Sequence, residues 1–198
     1  MTGHVQKCTL LVMAYTKKID HQELVTCACK LVEQEGVEAL SMRRLAQILD
    51  VQASSLYNHF ANKSALLAEV AERGLYRLAE KLEHASALAR PNPRHQIEAM
   101  GLTYREWALQ HSHIYTLLFM GAPPLEVDAP PSAAATFAPM LAATAQLVGE
   151  DQAEAATQAV WAFIHGFVTL ELTGHMQRCL PAEGFTLGLT CLAQGLGR

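Results

Sequence analysis

Between Arg43 and Leu67 the chain reads "RRLAQILDVQASSLYNHFANKSALL", two short apolar-periodic runs parted by a tight polar break at Asp50, Val51 and Gln52. Ser41 caps the first run, whose inward face is read as Leu45, Ile48 and Leu49. The second begins near Ala53 and turns Leu56 and Phe60 to the core, which leaves Ser54, Ser55, Tyr57, Asn58 and His59 on its other sides. Upstream, a helix from Asp20, its N-cap, to Glu35 carries Leu24, Cys27, Ala28, Leu31 and Val32 on one face and stops at Gly36. Two short helices joined by a tight turn and braced by a preceding helix form a helix-turn-helix. Such a helix fits the major groove, and its flanks must offer donors to phosphates and base edges; hydrogen-bonding side chains therefore crowd the face the core does not use.

The rest of the chain agrees with an all-α fold. It is 51% hydrophobic and 17% charged, as a globular protein is, and its Ala- and Leu-rich stretches are broken by only eight prolines, with almost no period-two alternation. Asn62 caps a long helix containing Leu66, Leu67, Val70, Leu75, Leu78 and Leu82, which "RPNP" at Arg90–Pro93 ends. Two helices follow with a break near His111–His113, then the Pro-rich loop "APPLEVDAPP", a helix from Ser132 that Pro139 kinks, a long helix from about Asp151 to Thr173, and a last one opened by Pro181 and running to Leu196. The early apolar run "TLLVMAY" is too short to span a bilayer and leads into Lys17 and Lys18 rather than a cleavage site, so the expected location is the cytoplasm, with no membrane partner.

Charge is divided unevenly. Residues 1–63 are net +1 and residues 64–198 net −5, and Lys17, Lys18, Arg43, Arg44 and Lys63, with His21 and His59, bracket the quoted stretch.

The residues 40–70, "LSMRRLAQILDVQASSLYNHFANKSALLAEV", resemble the DNA-binding domain of the TetR family of bacterial transcription regulators, including its LY-x-H-F-x-x-K-x-x-L-L core. Asp50 departs from the family's usual Gly in the turn, although Asp tolerates a left-handed backbone better than most residues. The resemblance implies phosphate contacts from Tyr57, His59 and Lys63, a base or backbone contact from Arg43, and a groove-facing set of Met42, Ala53, Ser54, Ser55 and Asn58. Against this stands a plainer reading in which Tyr57 is a core-edge aromatic and His59 a local cap. The expected division is an extension over 1–19, the helix-turn-helix domain over 20–66, and an effector-binding and dimerisation domain over 67–198.

The last two helices carry Ala159, Val160, Phe163, Phe167, Leu170, Leu187, Leu189, Leu192 and Leu196, with Gly166, Gly184, Gly188 and Gly195 among them. That is more apolar surface than one helix needs for its own core, which suggests a homodimer built as a four-helix bundle; an intramolecular core is the alternative. "WAFIHGFVTLEL", with "HIYTLLF", resembles the WHG-type effector domain of some family members. The family encloses a small, usually hydrophobic effector between its middle helices. Here Met100, Tyr104, Trp107, Tyr115, Phe119, Trp161 and His165 are the expected wall, with ordinary core packing as the competing role. The implied function is a homodimeric repressor on a near-palindromic double-stranded operator, released when effector favours the other of two states.

Five cysteines, Cys8, Cys27, Cys29, Cys179 and Cys191, suit reduced and mostly buried thiols rather than a disulfide framework. Cys27 and Cys29 diverge by about 200° on a helix and so cannot chelate one ion, an objection that a helix boundary would remove for His111 and His113. No cofactor or metal is expected. A redox- or metal-responsive regulator, with Cys179 or Cys191 as the sensor, is the rival input. An enzyme is not expected: His165, Glu171 and His175 share a helix and its exit, but no nucleophile motif, phosphate loop or H-E-x-x-H spacing accompanies them. The extension over 1–19 is either a minor-groove arm through Lys17 and Lys18 or, the preferred reading, a disordered leader.

Overall fold

A computed structural model describes residues 19–119, 131–176 and 180–197. The expectations for most of the 1–19 extension, for the Pro-rich loop and for Cys8 and Cys179 lie outside the described residues. Those described are all-α: α1 (His21–Glu35), a 3-10 turn (Val37–Ala39), α2 (Met42–Leu49), α3 (Ala53–Leu56), α4 (Lys63–Leu88), α5 (Pro93–Gln110), α6 (Ser112–Phe119), α7 (Pro131–Val148), α8 (Glu150–Leu172) and α9 (Pro181–Gly195).

Helix ends follow local chemistry. Ser41 Oγ accepts from the Arg44 amide (3.1 Å), Asn62 Oδ1 from the Ala65 amide (2.9 Å) and Asn92 Oδ1 from the Arg94 amide (3.0 Å), each satisfying a donor left open by a helix start. Asp20 occupies the N-cap of α1 without a side-chain cap bond. Gly36 ends α1 at φ 83°. Asp50 takes the left-handed conformation (φ 54°, ψ 50°) after α2; the Asp50 amide donates to Gln47 O (3.3 Å) and the Val51 amide to Ala46 O (3.0 Å). Those two bonds are the paired closure of a Schellman motif, made with Asp in the place glycine usually fills.

Two sequence assignments around this turn are corrected. Ile48 is 53% exposed, whereas Met42, expected to face the groove, is buried with Leu45, Ala46 and Leu49. Positions 42, 45, 46 and 49 form one stripe at helical spacing, and Ile48 is rotated about 120° from Met42, off that stripe. Phe60 is buried as expected but lies beyond α3, which ends at Leu56.

Helix α1 packs on α2, α4 and α6, and α4 continues into the second half of the molecule, packing along α5 and α7. Helix α7 runs through Pro139 and lies against α8, while α5 also meets α8 and α9. A single apolar core extends from Leu24, Leu45 and Leu56, through Val70 and Leu78, to Met100, Ile164 and Leu189. Gly101 permits one of the close approaches: a Cβ there would sit 2.5 Å from Leu189 Cδ2, so α5 and α9 meet as they do only without a side chain.

Candidate nucleic-acid interface and ligand cavity

The polar residues of the helix-turn-helix gather on one outer surface. Arg43, Ser54, Tyr57 and Asn58 are exposed, and Ala53, Ser55, His59 and Lys63 are half-buried. Tyr57 is 55% exposed, which removes the core-edge reading. Leu56 and Phe60 are buried beneath it and fix the turn that presents it. The two neighbouring arginines are sorted by their partners. Arg44 Nη2 donates to both carboxylate oxygens of Glu35 (2.7 and 2.8 Å), tying α2 to α1, while Arg43 makes no hydrogen bond or ion pair among the described residues. Lys63 Nζ donates to Val37 O (3.1 Å), at the start of α4. His21 stacks on Phe60 (4.9 Å between ring centroids) and stands 6.1 Å from His59, so two imidazoles flank the same surface.

In the second half, a cavity of about 540 Å³ lies between α4, α5, α6, α7 and α8. Of the seven residues expected to line it, Met100, Tyr104, Phe119 and Trp161 do, and Trp107, Tyr115 and His165 are not part of its wall. Trp107 is buried in the core, with its ring 5.2 Å from that of His111. Tyr115 and His165 belong to an aromatic cluster beside the wall: Trp161 and His165 stack at 5.0 Å and 13°, and Phe119 meets the same imidazole at 4.9 Å. Sequence reading missed the contribution of α4 (Leu75, Leu82) and α7 (Thr136, Phe137, Met140). The available signal was "TFAPM", bulky side chains in an otherwise Ala-rich helix.

The cluster's polarity is ordered. Tyr115 Oη lies 2.7 Å from His165 Nδ1, and Tyr104 Oη lies 3.4 Å from the same nitrogen. Burial lowers the basicity of His165 and raises the pKa of both phenols, which favours a neutral imidazole between two neutral hydroxyls.

Helix α6 joins the two regions. Its far end supplies Phe119 to the cavity, and at its near end His113 Nδ1 donates to Glu33 O of α1 (3.1 Å). The Glu33 carboxylate accepts from Arg77 of α4 (2.9 Å) and stands 3.7 Å from His111 Nδ1. His111 and His113 thus address α1, and among the described residues no group of three or more His, Cys, Asp or Glu is placed to hold a metal. Of the described cysteines, Cys29 is buried, Cys27 half-buried and Cys191 exposed on α9. Burial raises the thiol pKa of Cys27 and Cys29, which disfavours the thiolate at both. Among the described residues no helix is long and apolar enough to cross a membrane.

A helix-turn-helix with an outward polar surface, standing on a helical body with an apolar cavity, defines a DNA-binding regulator with a ligand-binding body. Residues 24–70 match the family model described as bacterial regulatory proteins of the tetR family, and residues 97–191 match the tetracycline repressor-like C-terminal domain. The chain is 31% identical over 192 residues to the uncharacterised HTH-type transcriptional regulator Rv0681 of Mycobacterium tuberculosis, covering 94% of this chain and 85% of that one. Among solved structures it is similar to a single-substitution variant of a TetR from Acinetobacter baumannii in complex with minocycline (26% identity, TM-score 0.66, 90% of this chain and 96% of that one). It is also similar to BioQ with its natural double-stranded DNA operator (26% identity, TM-score 0.64, 90% and 98%). The chain belongs to the TetR family. Its class is that of a DNA-binding transcriptional regulator rather than an enzyme, which sets aside a catalytic use of His165, Glu171 and His175.

Proposed function

We propose that this chain is a homodimeric repressor that holds a near-palindromic operator and is released by a small hydrophobic effector. The observation that carries the reading is the pairing, in one chain, of an exposed Arg43, Tyr57 and Asn58 around the helix-turn-helix with an apolar cavity of about 540 Å³ in the helical body. Tyr57, His59 and Lys63 are assigned to phosphates, and Arg43, Ala53, Ser54, Ser55 and Asn58 to the groove. Met42 leaves that set because it is buried. The relatives support both halves, since BioQ is seen on DNA and the A. baumannii TetR with minocycline.

Dimerisation is assigned to the outer faces of α8 and α9. Val160 and Leu189 are buried within the protomer, but Ala159, Leu170 and Leu187 are exposed, and a Cβ at Gly166 or Gly195 would meet nothing within 4 Å. Small and apolar residues left open on two adjacent helices suit a second copy packed as a four-helix bundle. The stacked Trp161 and His165, with Gly166 next to them, support the WHG-type assignment of the effector domain. Effector acts by population shift: a filled cavity displaces Phe119 and α6, and through Glu33 the two reading heads lose the spacing that fits both half-sites. A domain division at 20–66 and 67–198 matches this use.

The test is duplex DNA binding as a function of salt. The reading expects a steep fall in affinity with rising salt and a loss of about tenfold or more for Tyr57→Ala. Salt-independent binding, or a Tyr57→Ala protein with full affinity, would contradict it.

A further inference from the structure

We infer that the cavity takes an uncharged, largely apolar molecule bearing one hydrogen-bond-accepting oxygen of the carbonyl type, and that the Tyr104 hydroxyl receives that oxygen. The inference rests on the reading of this cavity as the effector site and adds the chemical class of its occupant.

The described wall contains no Asp, Glu, Lys, Arg or His. A carboxylate or ammonium group entering it would lose its hydration without gaining a counter-charge, a cost that selects neutral ligands. Rings of Tyr104, Phe119, Phe137 and Trp161 give flat apolar surface. The polar groups of the wall are few, and they are not equally available. The Thr136 hydroxyl donates to Ser132 O (2.8 Å) within its own helix, and Gln158 is exposed at the rim.

Tyr104 differs. Its side chain is almost fully buried, and the acceptor nearest to hand for its hydroxyl is His165 Nδ1, at a long 3.4 Å. That nitrogen is already engaged with the Tyr115 hydroxyl at 2.7 Å, in either tautomer its single hydrogen-bonding direction. Its other neighbours are the Trp161 indole and the Tyr115 hydroxyl, and among the described residues the Tyr104 hydroxyl makes no hydrogen bond shorter than that 3.4 Å contact. Burial raises the phenol's pKa, so this proton stays in place at any physiological pH. A buried donor with only a long contact gains a full hydrogen bond when an acceptor arrives beside it, and an apolar ligand offers none.

Three probes of one ring system separate the possibilities: naphthalene, 2-acetylnaphthalene and 2-naphthoate, measured by equilibrium dialysis against the full-length protein at neutral pH. The acetyl and carboxylate probes are nearly the same size, so their difference reports charge. The expected order is ketone tighter than naphthalene by about fivefold, the worth of one neutral hydrogen bond, and naphthoate at least about tenfold weaker than the ketone. Tyr104→Phe should remove the ketone's advantage and leave naphthalene binding unchanged, which also shows that the variant is folded. If naphthalene binds but the ketone binds no better, or its advantage survives in Tyr104→Phe, the cavity stands as a ligand site and the assignment to Tyr104 falls. Tightest binding of naphthoate would overturn the neutral class. Binding of none of the three would remove the cavity reading itself.

Discussion

The Tyr115 hydroxyl and His165 Nδ1 share a hydrogen bond of 2.7 Å, which joins α6 to α8 beside the cavity wall. Tyr115 is fully buried, so Tyr115→Phe keeps the ring packing and removes this short hydrogen bond together with the longer contacts, both 3.4 Å, to His165 O and Thr169 Oγ1; chemical denaturation should show a loss of about 1–2 kcal/mol. Burial holds His165 below the ordinary histidine value, so the unfolded chain takes up its proton first as pH falls. The stabilisation is complete above about pH 6.5 and declines below it. His165→Phe should therefore lose less melting temperature than the wild type between neutral pH and pH 5. An equal loss in both proteins would show that His165 does not carry this dependence.

Gly101→Ala should destabilise by about 1–3 kcal/mol, because its Cβ would stand 2.5 Å from Leu189 Cδ2 and 3.2 Å from Ile164 Cδ1, both on buried side chains. Gly166→Ala is the control. Nothing in the protomer lies within 4 Å of its Cβ, so its protomer core should be unaffected, and any fall in melting temperature for this variant that depends on protein concentration reports the proposed dimer interface instead. Thermal melts of both variants decide the comparison.

Lys63→Ala and Arg43→Ala should weaken DNA binding in different ways. Lys63 stands at the start of α4 and is assigned to a phosphate, so its loss should weaken binding to every sequence and reduce the salt slope by about one. Arg43, without an ion-pair partner among the described residues, should relax preference at one base position. Titrations against specific and random duplexes distinguish the two, and an unchanged salt slope would take Lys63 out of the phosphate set.

Much of this arrangement is legible in the sequence because it depends on local chemistry. Caps at Ser41 and Asn62 and the stop at Gly36 act within a few residues, and each is found where its residue type favours it; the break at His111 is also where the sequence is read to place it. The left-handed Asp50 is likewise readable from residue type. Faces are harder on short helices. With only eight residues in α2, the choice between Met42 and Ile48 as the inward residue depends on one turn of periodicity, and the structure reverses the sequence assignment. The cavity wall is hardest, since Leu75 and Phe137 are brought to Trp161 by the packing of α4, α7 and α8, a long-range relationship with no local signature.

Leu187→Asp should convert a dimer to monomers. Leu187 is 68% exposed on α9, so the substitution leaves the protomer's core intact while placing a charge where a second copy would pack. Sedimentation should show the halved mass with an unchanged helical spectrum. A variant that keeps the wild-type mass would move the interface elsewhere.

Whether the protein is a dimeric repressor of one specific operator is decided by letting the purified protein select fragments of its source genome at near-physiological salt and sequencing what is retained. The expected result is enrichment of one near-palindrome, with half-sites about one helical turn or a multiple of it apart. Enrichment of a single unpaired half-site, or retention without any sequence preference, would contradict it.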